Sequence, residues 1–85
     1  MATRMTWSRN TESDMDYYRV FLGGVFQAKV PQTAVGVDPE WPLPAVGAGL
    51  LTVTAVDKSG NESEMSVAVP FDKVAPAAPV NLVLV

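Results

Sequence analysis

The 85-residue chain contains no cysteine and no histidine. Without cysteine there can be no disulfide framework and no thiolate metal site to staple a small domain. Without histidine the usual general base, the usual zinc ligand and the physiological pH switch are missing. Positive charge is also scarce: six Lys and Arg stand against nine Asp and Glu, a net charge of −3, so a nucleic-acid surface is not expected. The longest apolar stretches, near 45–55 and 80–85, are far too short to span a bilayer. MATRMTWSRN at the start has no hydrophobic run of the signal-peptide kind.

What is present is apolar and β-branched. Hydrophobic residues make up 48% of the chain, too many for a disordered tail. Seven prolines and six glycines interrupt it, leaving few windows long enough for a helix. Alternation with a period of two predicts strands instead. Thr3, Met5 and Trp7 share one face of a first strand, and Tyr18, Val20 and Leu22 line the inner face of a second, which ends at the hairpin signal Gly23-Gly24. A third strand is expected over Val25–Val30 and a short fourth over Ala34–Val37, closed by an Asp38-Pro39 turn. Asp38–Gly49, with three prolines and two glycines, reads as a crossover carrying Trp41. Leu50–Val56 and a partner with Met65, Val67, Val69 and Phe71 on one face flank the Lys58–Asn61 turn. Short strands at this spacing predict an all-β antiparallel sandwich with Trp7, Tyr18 and Phe71 in its core.

LTVTAVDKSGNES (Leu51–Ser63) resembles the F strand, F–G turn and start of strand G of bacterial fibronectin type III domains. DYYRVFLGG (Asp16–Gly24) is similar to their C strand and C–C′ turn, and MTWSRN (Met5–Asn10) to the end of strand B. The resemblance implies an immunoglobulin-like sandwich. It departs from the pattern twice. The tyrosine that usually opens strand F falls at Gly49, so the tyrosine-corner hydrogen bond should be missing. A segment with the look of strand A, APAAPVNLVLV, stands at Ala75–Val85, after the other strands. The order therefore reads B-C-C′-E-F-G-A: a sandwich lacking strand A over residues 1–71, a proline-containing linker over 72–79 and a donor-type strand over 80–85.

Such a sandwich exposes the backbone edge of strand B, with Thr3, Met5 and Trp7 as its acceptor residues, and such an edge templates another strand. Val80, Leu82, Val83, Leu84 and Val85 make the last segment apolar on both faces, unsuited to remain in water. It has two destinations, its own groove or that of the next copy. In the family the two chain ends lie at opposite poles, so the resemblance implies that a return to its own groove must cross roughly 25–30 Å, the length of eight or nine strand residues. The linker 72–79 spans about 25 Å as polyproline II, with nothing left for a turn. Reach favours the next copy, and so a head-to-tail homo-oligomer forming a filament or surface fibre.

Other sites are weighed against plainer readings. Glu12, Asp14 and Asp16 alternate as calcium ligands do but lack the glycine and distal glutamate of an EF-hand, and a solvated loop is the better account. Asp57, Ser59, Asn61 and Glu62 form a hairpin turn that serves adhesion in some family members. Trp41 is either a stacking platform for a carbohydrate or protein ligand or a lid over the sandwich end. Tyr17 and Phe21 face outward and are candidate partner contacts. No spacing points to a catalytic triad, a nucleotide loop or a cofactor, so the chain is expected to be non-enzymatic. Its expected place is outside the cell or on its surface. The competing expectations are a binding or spacer module of a larger extracellular protein and a circularly permuted monomer.

Overall fold

A computed structural model describes residues 3–74, 76–81, 83 and 84. Among these there is no helix, and the chain forms two antiparallel sheets, a β-sandwich-like arrangement. Strands β1 (Arg4–Thr6) and β4 (Glu40–Pro42) make a two-stranded sheet. The other has four strands in the order β3 (Val25–Pro31), β2 (Met15–Leu22), β5 (Ala48–Asp57) and β6 (Val69–Asp72).

Alternation sets the core. Met15, Tyr18, Val20 and Val53 are buried on one face of the larger sheet, and Met5, Trp7 and Trp41 of the smaller sheet or its flank pack against them. Trp7 meets Tyr18 edge to face, with centroids 5.4 Å apart. The β2–β3 hairpin closes through Gly23-Gly24, both at positive φ (59° and 79°), the two-residue geometry whose twist matches the strands. Tyr18 also anchors the loop after β1. Its hydroxyl accepts from Asn10 N at 2.8 Å and donates to Gln32 Oε1 at 2.8 Å, while Gln32 Nε2 donates to Asn10 O at 2.9 Å.

At Gly49, where the resemblance would put a tyrosine, φ is +147° and an added Cβ would lie 3.1 Å from Leu22 Cδ1. The site admits only glycine without rearrangement.

Three expectations are corrected. Ala34–Val37 is a turn, closed by Val37 N donating to Ala34 O at 3.0 Å and by Thr33 Oγ1 donating to Val37 O, with Gly36 at φ +86°. The crossover contains a strand, because Trp41 pairs opposite Met5 in β4. The long partner of β5 shrinks to Val69–Asp72. Between the pairs Leu51↔Val69 and Val56↔Glu62 the incoming chain takes seven steps to β5's five. This bulging loses the alternation, leaving Met65 and Val67 exposed while Phe71 stays buried. Serine hydroxyls fill the gaps: Ala55 N donates to Ser63 Oγ at 2.9 Å and Val53 N to Ser66 Oγ at 3.0 Å.

Replacing Tyr18 with Phe keeps the ring but removes the hydroxyl that holds Asn10 and Gln32. The expected loss is about 1–2 kcal/mol, read as a lower urea midpoint at unchanged slope. An unchanged midpoint would show that the hydroxyl network carries no stability.

Candidate site: an open sandwich edge

The smaller sheet is too narrow for the larger one, and a groove opens beside β1. One part, about 330 Å³, lies between Met5, Leu43, Leu51 and Phe71. A second, about 260 Å³, lies between Trp7, Tyr18 and Val53 and the polar side chains of Asn10, Ser63, Glu64 and Ser66. Because Met5 and Trp7 are alternate residues of one extended segment, the two parts lie about 7 Å apart along it. Trp7 lines the second part, and its indole Nε1 is buried with no hydrogen-bond partner among the described residues.

The register of β1 on β4 shows which backbone groups face this groove. Leu43 N donates to Thr3 O at 2.9 Å and Trp7 N to Pro39 O at 3.3 Å, with Met5 opposite Trp41 between them. Thr3, Met5 and Trp7 therefore direct their backbone groups to β4. The alternation of an antiparallel ladder turns those of Arg4 and Thr6 to the other edge. No described strand pairs there. Thr3, Met5 and Trp7, expected as the acceptor edge, share the inward face, whereas the unpaired donors and acceptors belong to Arg4 and Thr6.

Each remaining sheet edge carries an outward-facing proline. Gln32 N donates to Asp16 O at 3.0 Å, which puts Pro31 on the alternate, outward-facing set of β3. Lys73 N donates to Gly47 O at 2.7 Å, which does the same for Pro70 on β6. On β4 it is Pro42, opposite Arg4. A proline without an N–H blunts an edge against further strands. Of the four described sheet edges, β1 alone lacks one.

The described residues near the C-terminus stand clear of the sandwich. Among the described residues no strand pairing involves any position beyond Asp72. Val80, Val83 and Leu84 are 81%, 70% and 102% exposed, while Leu82 and Val85 lie outside the described residues. The molecule is 68 Å long with a radius of gyration of 17.5 Å, against about 12 Å for a compact chain of this length. Among the described residues none beyond Asp72 pairs with β1.

The other candidate residues are placed apart from the groove. Trp41 is half-buried as part of β4 and packs against the core. Tyr17 lies on the outer face of β2, its ring between Lys29 Nζ at 4.2 Å and the Arg19 guanidinium at 5.8 Å. Phe21, on the same face, meets Phe26 edge to face at 6.1 Å. Glu12, Asp14 and Asp16 do not converge: among the described residues no group of three or more acidic side chains is placed to hold a metal ion. No helix among the described residues is long and apolar enough to cross a membrane.

Comparison with known proteins finds no matching family model, no matching curated protein and no matching solved structure.

The Asp57 turn is built around its carboxylate, which accepts from Ser59 N at 2.9 Å, Asn61 N at 2.9 Å and Asn61 Nδ2 at 3.0 Å. These bonds, the Asn61 side chain first, hold the Asp57 carboxyl below its ordinary value of 3.8. A lowered folded value means the stabilisation is complete above the ordinary carboxylate range and is lost as pH falls through the folded value. Asp57→Ala should therefore melt below the parent at neutral pH, with the gap closing in acid. A gap independent of pH would show that the charge is not what holds the turn.

Proposed function

We propose that this chain is a non-enzymatic structural subunit of fibronectin type III-like build, working outside the cell or on its surface, that assembles head to tail. On this reading β1 and β4 correspond to strands B and E, and β3, β2, β5 and β6 to C′, C, F and G. The groove beside β1 takes the place of strand A, and residues 80–85 of one copy fill it in the next.

The observation that carries the reading is the open, proline-free edge of β1 beside a groove that is mostly apolar at Met5, in a chain whose Val80, Val83 and Leu84 are exposed. The energetics favour the pairing. Burying each large side chain contributes roughly 1.5–3 kcal/mol, so a few together reach several kcal/mol, comparable with the stability of a small domain. The buried Trp7 Nε1 adds to the drive, since a donor left unpaired costs about 1–3 kcal/mol and an incoming chain brings carbonyl acceptors. A contact that joins the tail of one copy to the groove of another is heterologous, so it propagates into a fibre unless it closes as a ring.

A second reading is favoured by Pro76 and Pro79 in the exposed segment. In a tandem array the same segment would stiffen the spacing and begin the next sandwich of one polypeptide. Light scattering on the purified chain separates the two. Self-assembly predicts a mass that grows with concentration and fibres by electron microscopy. Val80→Asp with Leu84→Asp should reduce the chain to monomers, and Val35→Asp, at an exposed turn distant in sequence from the groove strands, should leave assembly intact. A parent chain that stays monomeric at every concentration sinks self-assembly and leaves the spacer.

A further inference from the structure

We infer that the incoming strand runs antiparallel to β1 in one register, with Asn81 opposite Thr6 and Val83 opposite Arg4. The inference rests on the head-to-tail reading above and names how that site is read.

Three features of the groove select this register. The first is parity. Arg4 and Thr6 hold the unpaired backbone groups and are exposed, so the residues bonded to them also face solvent, and their neighbours face the groove. The donor segment has one polar side chain, Asn81. Asn81 stands at φ +59° in the free chain, so pairing must first extend it; with Asn81 then on the solvent side, Val80, Leu82 and Leu84 turn inward. The opposite parity would turn the Asn81 amide inward with only Val83 and Val85 beside it, and would leave both leucines in water.

The second feature is Pro79. In an antiparallel strand with Val80 opposite Met5, Pro79 would stand opposite Thr6 and remove a ladder bond from the middle of a short strand. Moving the strand on by two residues sets Val80 opposite Trp7 and Pro79 opposite Ser8, at the first position of the strand, where a missing N–H is tolerated.

The third is volume. With Asn81 opposite Thr6, the larger side chain, Leu82, stands at the 330 Å³ part beside Met5, and the smaller Val80 at the 260 Å³ part beside Trp7. A further slip by two residues would set Leu82 at the smaller part, among Asn10, Ser63, Glu64 and Ser66, a poorer match for a leucine. Direction follows from the pole at which the chain leaves. β6 ends beside Met5, since Asp72 and Lys73 line that part of the groove. An antiparallel strand enters at the Trp7 end, so the tail leaving one pole enters the opposite pole of the next copy. All four described strand pairings are antiparallel.

The chain has no cysteine, so introduced thiols report contacts without background. Directly opposite residues of a bonded pair have Cα atoms about 5.5 Å apart, within disulfide reach. Full-length Thr6→Cys chains mixed with Asn81→Cys chains should give a disulfide-linked dimer several-fold faster than Thr6→Cys mixed with Val83→Cys. Arg4→Cys mixed with Val83→Cys reports the same register through a second pair, should one variant fold poorly. If Thr6→Cys prefers Val83→Cys, the register is overturned while the assembly reading stands. If no pair links and light scattering finds only monomers, the assembly reading fails and the register with it. A doubly substituted Thr6→Cys, Asn81→Cys chain that links only within itself overturns insertion into a neighbour.

Discussion

The rest of the molecule hangs on the contact between the inner face of β2 and a sheet half as wide as its own. Tyr18 and Val20 are buried at the middle of a four-stranded sheet, and Trp7, Met5 and Trp41 cover them from a two-stranded one. Strands sit about 4.8 Å apart, so two cannot roof four. The cover is placed where the core is deepest, and the shortfall appears at one side as the groove beside β1. A domain of this size, with neither disulfide nor cysteine-bound metal to draw on, has little other burial to compensate.

The edges show how that shortfall is confined. Pro31, Pro42 and Pro70 each fall on the outward-facing set of an edge strand, where the absent N–H costs the sheet nothing and denies a neighbour one bond. The β1 edge keeps its full set of donors and acceptors at Arg4 and Thr6. Three blunted edges and one open one, beside the groove, leave β1 as the described edge where strand addition meets no proline.

Much of this was legible from residue pattern. The alternation Tyr18, Val20 and the glycine pair at 23–24 gave β2 and its hairpin, because a two-residue turn with positive φ admits little else. The apolar character of Val80, Val83 and Leu84 was equally plain. Other features were not. The alternation Met65, Val67, Val69, Phe71 looked like a regular strand, but the two extra residues opposite β5 are invisible without the partner, and they expose Met65 and Val67. Trp41 among prolines looked like loop, since a three-residue strand has too short a period to stand out. The prolines were visible as residues, but their role at the edges was not.

Taken alone, the amino-acid sequence determined the all-β class, the absence of cysteine and histidine chemistry and the apolar last segment, because composition and a period of two are local properties. Only the tertiary structure decided which edge stays open, which backbone groups lie along it and that the described end of the chain stands clear of its own groove. Those depend on register, and register is a relation between strands that one strand's residues do not contain.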